Sequence, residues 1–151
     1  MEEQKTRHDL TSQIAGILAK YVGNEKVVVK EEDKANIVTL RDDESLNIEV
    51  YDGALMVWLF SYENYITRDN DEEAIETVKW QLEEIFTKPI IRVKTYKANK
   101  LVKEVYKFDE YSSTTDYLHL LWRLLHWGKN REDTTIINYD AETGKFTETV
   151  Q

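Results

Sequence analysis

The segment Ser45–Phe60, which reads SLNIEVYDGALMVWLF, decides the fold expected for this chain. Its first half alternates apolar with polar or aromatic residues, as a strand does when only one of its faces is buried. Asp52-Gly53 then supplies a tight-turn signal between two β-rich runs. Every residue from Leu55 to Phe60 is apolar, which is typical of a strand covered on both faces. The segment therefore predicts an antiparallel hairpin near the centre of a sheet.

Helical spacing of apolar residues predicts three helices around this hairpin. The first is Thr6–Val22, which ends at Gly23. The second begins after the capping residue Asn70 and is ended by Pro89. The third is Thr115–Trp127. Strands are predicted at Lys26–Glu31, Ala35–Arg41, Ser45–Tyr51, Ala54–Tyr62, Ile90–Tyr96, Leu101–Phe108, Thr134–Asp140 and Lys145–Val150. The order α-β-β-β-β-α-β-β-α-β-β predicts an α+β fold, an antiparallel sheet packed against about three helices. Residues 1–151 are expected to form a single domain.

Composition narrows the classes of function. The chain has 151 residues, a net charge of −9 and no cysteine. Disulfides, thiolate metal sites and cysteine nucleophiles are therefore excluded, and a reducing compartment is favoured. The first residues lack the apolar core of a signal peptide, and no apolar run approaches the ~20 residues that span a bilayer. We expect a cytoplasmic protein without a membrane partner.

The positive charge is concentrated in one block. Seven basic residues and one acid lie between Lys88 and Lys107, so this block carries +6 and the rest of the chain −15. Pairing Tyr96 with Leu101 across the turn places Lys94 opposite Lys103, with Arg92 on the same face. Like charges opposite each other are mildly destabilising, and a partner's acids or the protein's own acids would offset that cost.

Three interpretations of this basic hairpin stay open. Exposed lysines discourage edge-to-edge association of strands. The face could also bind an acidic protein, or the acidic face of a second copy in a homodimer. Nucleic acid is the third possibility, against which the acidic remainder of the chain argues. The candidate partner-binding residues are Arg92, Lys94, Tyr96 and Lys103 on this hairpin, with Trp122 and Trp127 on the third helix as aromatic anchors.

The third predicted helix offers a second candidate site. Its polar residues form one stripe, in which His119, Arg123 and His126 are spaced four and three apart. The histidines are two turns apart, about 10 Å along the helix axis, and a cation lies between them, so a metal site is not favoured. The three residues could bind an anion or supply acid–base chemistry in a pocket. The simpler interpretation is a solvated stripe on an otherwise buried helix.

From Ala35 to Trp127, the order of meander, helix, hairpin and helix, together with the acidity, resembles the type III secretion chaperone fold. That resemblance implies a small, usually dimeric, non-enzymatic cytoplasmic protein that binds unfolded stretches of partner proteins. No motif carries the resemblance, and the extra first strand and the C-terminal hairpin depart from it. No functional residue is therefore transferred.

The sequence favours a non-enzymatic module that binds another protein through an acidic and aromatic surface. Two subtypes fit this expectation: a chaperone-like binder of extended chains, and an inhibitor or immunity protein that neutralises a basic partner. No catalytic residue, metal ligand or cofactor motif is identified. The alternatives are a ligand-binding domain or enzyme with a pocket near His119, Arg123 and His126, and a nucleic-acid binder that uses the basic hairpin.

Overall fold

The computed structural model of the protein describes residues 2–117 and 130–151, with side chains described from Thr6 onward. In that part the fold is α+β, with two helices and two antiparallel sheets of five strands each. A short 3-10 helix, Asn24–Lys26, follows the first helix. The elements are α1 (Glu2–Val22), β1 (Val27–Glu31), β2 (Asn36–Leu40), β3 (Asp43–Val50), β4 (Ala54–Leu59), β5 (Tyr62–Thr67), α2 (Asp71–Thr87), β6 (Ile90–Lys97), β7 (Lys100–Lys107), β8 (Ser112–Asp116), β9 (Arg131–Asp140) and β10 (Lys145–Val150).

The first sheet is a meander in the order β1-β2-β3-β4-β5, and the predicted hairpin of Ser45–Phe60 forms its β3 and β4. The prediction of one strand over Ala54–Tyr62 is wrong. Leu59 pairs with Tyr62, so Phe60 and Ser61 form a two-residue turn and β5 begins directly after it. Phe60 takes a φ of +53° in this turn, a conformation that usually requires glycine, asparagine or aspartate. The turn therefore carries no sequence signal.

The predicted end of α1 at Gly23 and the predicted cap of α2 at Asn70 are both found in the structure. Gly23 takes a φ of +88°, and its N–H donates to the carbonyl of Ala19 at 2.8 Å, which closes α1. The side chain of Asn70 accepts hydrogen bonds from the N–H groups of Glu72 at 2.9 Å and Glu73 at 3.4 Å, which caps α2. The helices pack against each other and against the inner face of the first sheet.

One buried cluster joins the helices to both sheets. Leu18 of α1, Leu82 of α2, Ile48 and Val57 of the first sheet and Ile137 of the second are all fully buried in it. Burial of each such side chain contributes about 1.5–3 kcal/mol relative to leaving it in water. This shared core fixes where the first helix lies over the edge of the first sheet.

The second sheet has the order β10-β9-β6-β7-β8, and the predicted C-terminal hairpin forms β9 and β10. Tyr96 pairs with Leu101 as predicted, but the register shifts between Thr95 and Tyr96. Because of this bulge, Lys94 lies opposite Glu104 and not opposite Lys103, as the sequence had suggested. A shift of one residue moves every following side chain to the other face of a strand.

The predicted start of the third helix is also wrong. Thr115 and Asp116 lie in β8, where they pair with Glu104 and Lys103 of β7. The hydroxyl-rich segment Ser112–Thr115 contains two β-branched threonines, which favour extended backbone when a neighbouring strand is available. The predicted helical residues from 118 to 127 lie outside the described residues.

Candidate functional site: a groove between the first helix and an open strand edge

A groove of about 590 Å³ runs between α1 and β1. The two elements are antiparallel, since His8 near the start of the helix approaches Glu31 at the end of the strand, with Nδ1 3.5 Å from Oε1. The walls of the groove include His8, Ser12 and Gly16 on the helix and Val27, Val29 and Glu31 on the strand.

Gly16 leaves the helix side of this groove open. A Cβ built at Gly16 would have none of the described atoms within 4 Å beyond its own helix backbone and chain neighbours. A glycine inside a helix costs roughly 0.5–1 kcal/mol relative to alanine, and packing in the described part of the chain does not require it here. Across the groove, Val29 is 44% exposed, which is unusual for a β-branched residue that points towards the core side of a sheet.

The backbone of β1 has an open edge on the same side. Among the residues that the structure describes, β1 pairs with β2 alone. The N–H of Arg41 donates to the carbonyl of Lys26, and the N–H of Glu32 donates to the carbonyl of Ala35. In an antiparallel ladder these bonds fix the alternation, so Val27, Val29 and Glu31 direct their backbone groups away from β2.

Within the part of the chain that the structure describes, most of the outward backbone groups of β1 have no backbone partner. The N–H of Val27 already bonds to the carbonyl of Asn24, at the end of the 3-10 helix. Val29 presents both its N–H and its carbonyl, and within residues 2–117 and 130–151 no backbone bond to either is present. A row of alternating donors and acceptors of this kind is a template for another strand.

One end of the groove is acidic. Glu31, Glu32 and Asp33 are exposed at the turn that follows β1, where a second concavity of about 390 Å³ adjoins the groove through His8 and Glu31. Arg7 lines it too, but its guanidinium lies 3.6 Å from the carboxylate of Asp52, which balances its charge. Glu32 and Asp33, with Glu31 beside His8, therefore make this end of the groove acidic.

Buried polar contacts hold the helix beside the strand. Arg7 Nη1 donates to the carbonyl of Asp33 at 3.4 Å, and Asn36 Nδ2 donates to the hydroxyl of Thr11 at 3.1 Å. Thr11 in turn donates to the carbonyl of Arg7 at 2.7 Å. Because Arg7, Thr11 and Asn36 are buried, these bonds fix the groove's width more firmly than surface contacts would.

The basic hairpin does not present the charged face that the sequence predicts. Arg92 is buried and its neighbour Ile91 is 37% exposed, the reverse of the expected orientation of β6. Arg92 lies 2.5 Å from Glu148 of β10, and its guanidinium lies 5.5 Å from the ring centroid of Phe60. Its charge therefore holds the second sheet to the turn of the first.

Other cations of the hairpin also meet acids of the same chain. Lys94 Nζ lies 3.8 Å from the buried carboxylate of Glu104, and in the next strand Lys94 is opposite Asp133. Lys103 is exposed and lies opposite Asp116 of β8. The half-buried ring of Tyr96 lies under the guanidinium of Arg131 at 4.5 Å. The residues opposite Lys94 and Lys103 in the neighbouring strands thus include acids of the protein itself, Glu104 and Asp116.

The structure brings Arg92, Lys94 and Tyr96 together on β6, with Lys103 on the neighbouring strand. The other candidate residues lie outside the described residues. They are Trp122, Trp127, His119, Arg123 and His126.

A polar joint between the two sheets was missed by sequence reasoning. The hydroxyl of Ser61, in the Phe60-Ser61 turn, donates to Glu104 and lies 2.8 Å from the hydroxyl of Tyr106. Burial raises the pKa of Tyr106 above its usual value. Neither Ser61 nor Glu104 lines the α1–β1 groove or the concavity at its acidic end. The joint therefore fastens the sheets and is not the site developed below.

The α1–β1 groove was also missed, although the sequence holds one signal for it. That signal is Gly16, an isolated glycine inside a helical pattern. Such a glycine destabilises the helix, and it often marks a position where a side chain would occupy space that is needed for packing or function. Which strand lies at a sheet edge is a non-local property, and the Val27–Glu31 segment alone does not reveal it.

The described residues contain no group of three or more histidine, aspartate or glutamate side chains placed to hold a metal ion. Neither helix of the described part is both long and apolar enough to cross a membrane. The chain was compared with protein-family models, with curated proteins and with solved structures, and none of them matches it.

Proposed function

We propose that this protein is a non-enzymatic module that binds an extended segment of another protein by strand addition to the open edge of β1. The observation that carries the proposal is the coincidence, along Val27–Glu31, of outward backbone groups with a groove. Main-chain bonds to an edge give affinity to such complexes, and pockets for alternate side chains give specificity.

The chemistry of the groove indicates the kind of segment. Alternate side chains of an added strand would point towards α1, over Ser12 and the open position at Gly16. The apolar part of the groove, beside Val27 and Val29, suits apolar side chains. The acids at the far end and the net charge of −9 favour a basic partner, which the chain's field would also steer towards it.

Both subtypes expected from the sequence belong to this proposal. A chaperone-like protein would hold such a segment unfolded, as the resemblance to type III secretion chaperones implies. An inhibitor or immunity protein would use the same edge to neutralise a basic partner. In either case we place the activity in the cytoplasm, on the ground that the chain has no cysteine.

The test is selection of ligands from a phage-displayed library of random ten-residue peptides. Enriched peptides are then measured by fluorescence polarisation against the original protein and two proline variants. Val29→Pro removes one outward N–H of β1, a change that an edge strand tolerates. Val150→Pro is the matched control, because Gln151 N–H donates to the carbonyl of Thr134 and Val150 therefore directs its N–H away from β9.

We expect affinity to fall about tenfold in Val29→Pro, since one lost bond and a steric obstruction together are worth about 1.4 kcal/mol. Val150→Pro should bind as the original protein does. Thermal unfolding of both variants checks that they are folded. The proposal fails if no peptide is enriched, or if the two variants weaken binding equally.

A second copy of the chain is the competing occupant of the edge. Sedimentation of the original protein and of Val29→Pro distinguishes it from a foreign segment. A dimer that dissociates specifically in Val29→Pro would show that β1 pairs with itself and would overturn the proposal. A dimer that persists in Val29→Pro would use another surface and would be compatible with it.

A further inference from the structure

We infer that the groove selects its ligand by direction: a five-residue segment, antiparallel to β1, with a basic residue first and apolar residues third and fifth. This inference rests on the proposed function and deepens it. The juxtaposition that carries it is an open strand edge with an acidic end at Glu31 and a space beside the helix at Gly16.

The length follows from β1 itself. Its five residues, Val27–Glu31, extend over about 13 Å at roughly 3.3 Å per residue. The helix residues from His8 to Gly16 cover about 12 Å at 1.5 Å per residue. With His8 beside Glu31, Gly16 therefore lies level with Val27, at the opposite end of the groove from the acids.

The direction follows from the pairing pattern of the first sheet. Val29 presents an N–H and a carbonyl outwards together, which a parallel or an antiparallel strand could use. Each of the four pairings in the first sheet is antiparallel, and antiparallel pairing is slightly more stable per residue than parallel pairing. A ligand that continues this pattern starts opposite Glu31 and ends opposite Val27.

The preferred side chains of the ligand follow from the face of β1 that they would share. Residues that are directly opposite each other in a ladder point to the same face, so the ligand's first, third and fifth side chains join those of Glu31, Val29 and Val27. The first lies among Glu31, Glu32 and Asp33, which favours lysine or arginine. The third lies beside Val29 and Ser12, and the fifth has the free space at Gly16, which favours a large apolar residue.

The test compares two labelled peptides of identical composition, Lys-Thr-Val-Thr-Leu and its reversed sequence, each flanked by Gly-Ser. Fluorescence polarisation at low ionic strength should give at least about tenfold tighter binding of the forward peptide, because only it can place its cation at the acids and its leucine at Gly16 at once. Glu31→Lys should remove this preference and favour the variant peptide Glu-Thr-Val-Thr-Leu.

A second pair of variants tests the apolar end. Gly16→Leu fills the space that we assign to the fifth residue and should weaken the forward peptide by about tenfold. Gln13→Leu adds the same side chain to an exposed position of α1 outside the groove and should leave binding unchanged. Both replacements suit a helix, so neither is expected to unfold α1.

The outcomes separate this inference from the proposed function. Equal binding of the forward and reversed peptides, with both lost in Val29→Pro, would overturn the direction and leave strand addition standing. Failure of both peptides to bind, while library peptides of another pattern bind and depend on Val29, would overturn the pattern alone. If no peptide depends on Val29, strand addition and the direction fail together.

Discussion

Replacement of Gly16 by alanine should stabilise this protein. Gly16 lies inside the helix Glu2–Val22 and lines the groove, where no described atom outside its own helix backbone and chain neighbours lies within 4 Å of an added Cβ. The methyl group therefore meets no clash in the described part of the chain. The substitution removes the conformational freedom of glycine from the unfolded chain, which is worth roughly 0.5–1 kcal/mol in a helix interior.

The expected size of this effect can be measured. A gain of about 1 kcal/mol raises the unfolding temperature of a domain of this size by roughly 2–4 °C. Thermal and urea unfolding, followed by circular dichroism at 222 nm, should show a higher midpoint with an unchanged dependence on urea. An unchanged or lower midpoint would refute the reasoning, since it would mean that another part of the molecule already occupies the space at Gly16.

Gly144→Ala provides the opposite case with the same chemistry. Gly144 is buried in the β9–β10 turn with a φ of +70°, and an added Cβ would meet the side chain of Lys26. The backbone conformation opposes alanine, and the flexible end of the Lys26 side chain must also move aside, so this variant should be destabilised by at least about 1 kcal/mol. Comparison of the two variants thus distinguishes Gly16, which leaves an open space, from Gly144, which is required by its backbone conformation. Equal responses to alanine would contradict that distinction.

Three further outcomes follow from the described contacts. Asn70→Ala removes the side-chain acceptor for Glu72 and Glu73 N–H at the start of α2 and should lower the unfolding free energy by about 1 kcal/mol, measured by urea unfolding. Val28→Pro should destabilise the protein by roughly 1–3 kcal/mol, because the backbone N–H of Val28 faces β2 and its loss leaves a buried carbonyl unpaired. Val29→Pro should cost less. If Val29→Pro proved the more destabilising of the two, the assignment of which β1 residues bond to β2 would be wrong. Burial raises the pKa of Tyr62 and Tyr106 above 10.0, so the folded state keeps these protons at a pH where the unfolded state loses them. The unfolding free energy should therefore fall as the pH rises above about 10. In the same pH range, the tyrosinate absorbance at 295 nm should develop at a higher pH in the folded protein than in urea. Identical titration of the folded and unfolded protein would contradict this assignment.

Local sequence predicts the elements of this fold whose signals are local. The alternation before Asp52, the cap at Asn70 and the stop at Gly23 each act within a few residues, and each is found where the sequence places it. The Phe60-Ser61 turn escapes prediction because Phe60 disfavours the positive φ that it adopts there. Ring packing of Phe60 against Phe146, with centroids 6.3 Å apart, and the bonds of Ser61 to Glu104 and Tyr106 offset that cost from another sheet.

The bulge at Thr95 shows why the faces of the basic hairpin could not be assigned from sequence. Period-two alternation assigns faces correctly only while the register is continuous. On β7 the assignment holds, since Val102, Glu104 and Tyr106 are all buried. On β6 the shift reverses it, and Arg92 enters the interior while Ile91 is exposed.

The charge pattern of the chain consequently acquires a different meaning. From the sequence alone, the basic block from Lys88 to Lys107 is predicted to be a candidate surface for binding a partner. In the structure, its Lys88, Arg92 and Lys94 lie beside the acids Glu84, Glu148 and Glu104, so much of the block's charge is used to join elements of one molecule. A cation that is already paired has less to offer a phosphate or an acidic partner, because the new contact must replace the old one. Glu31, Glu32 and Asp33 are exposed at the end of a strand whose backbone edge is open in the described chain, and of the three Glu31 lies 3.5 Å from His8. Under the proposed function, the −15 carried by the rest of the sequence, more than the +6 of the hairpin, would attract the partner, and this charge is the reason why we propose a basic one.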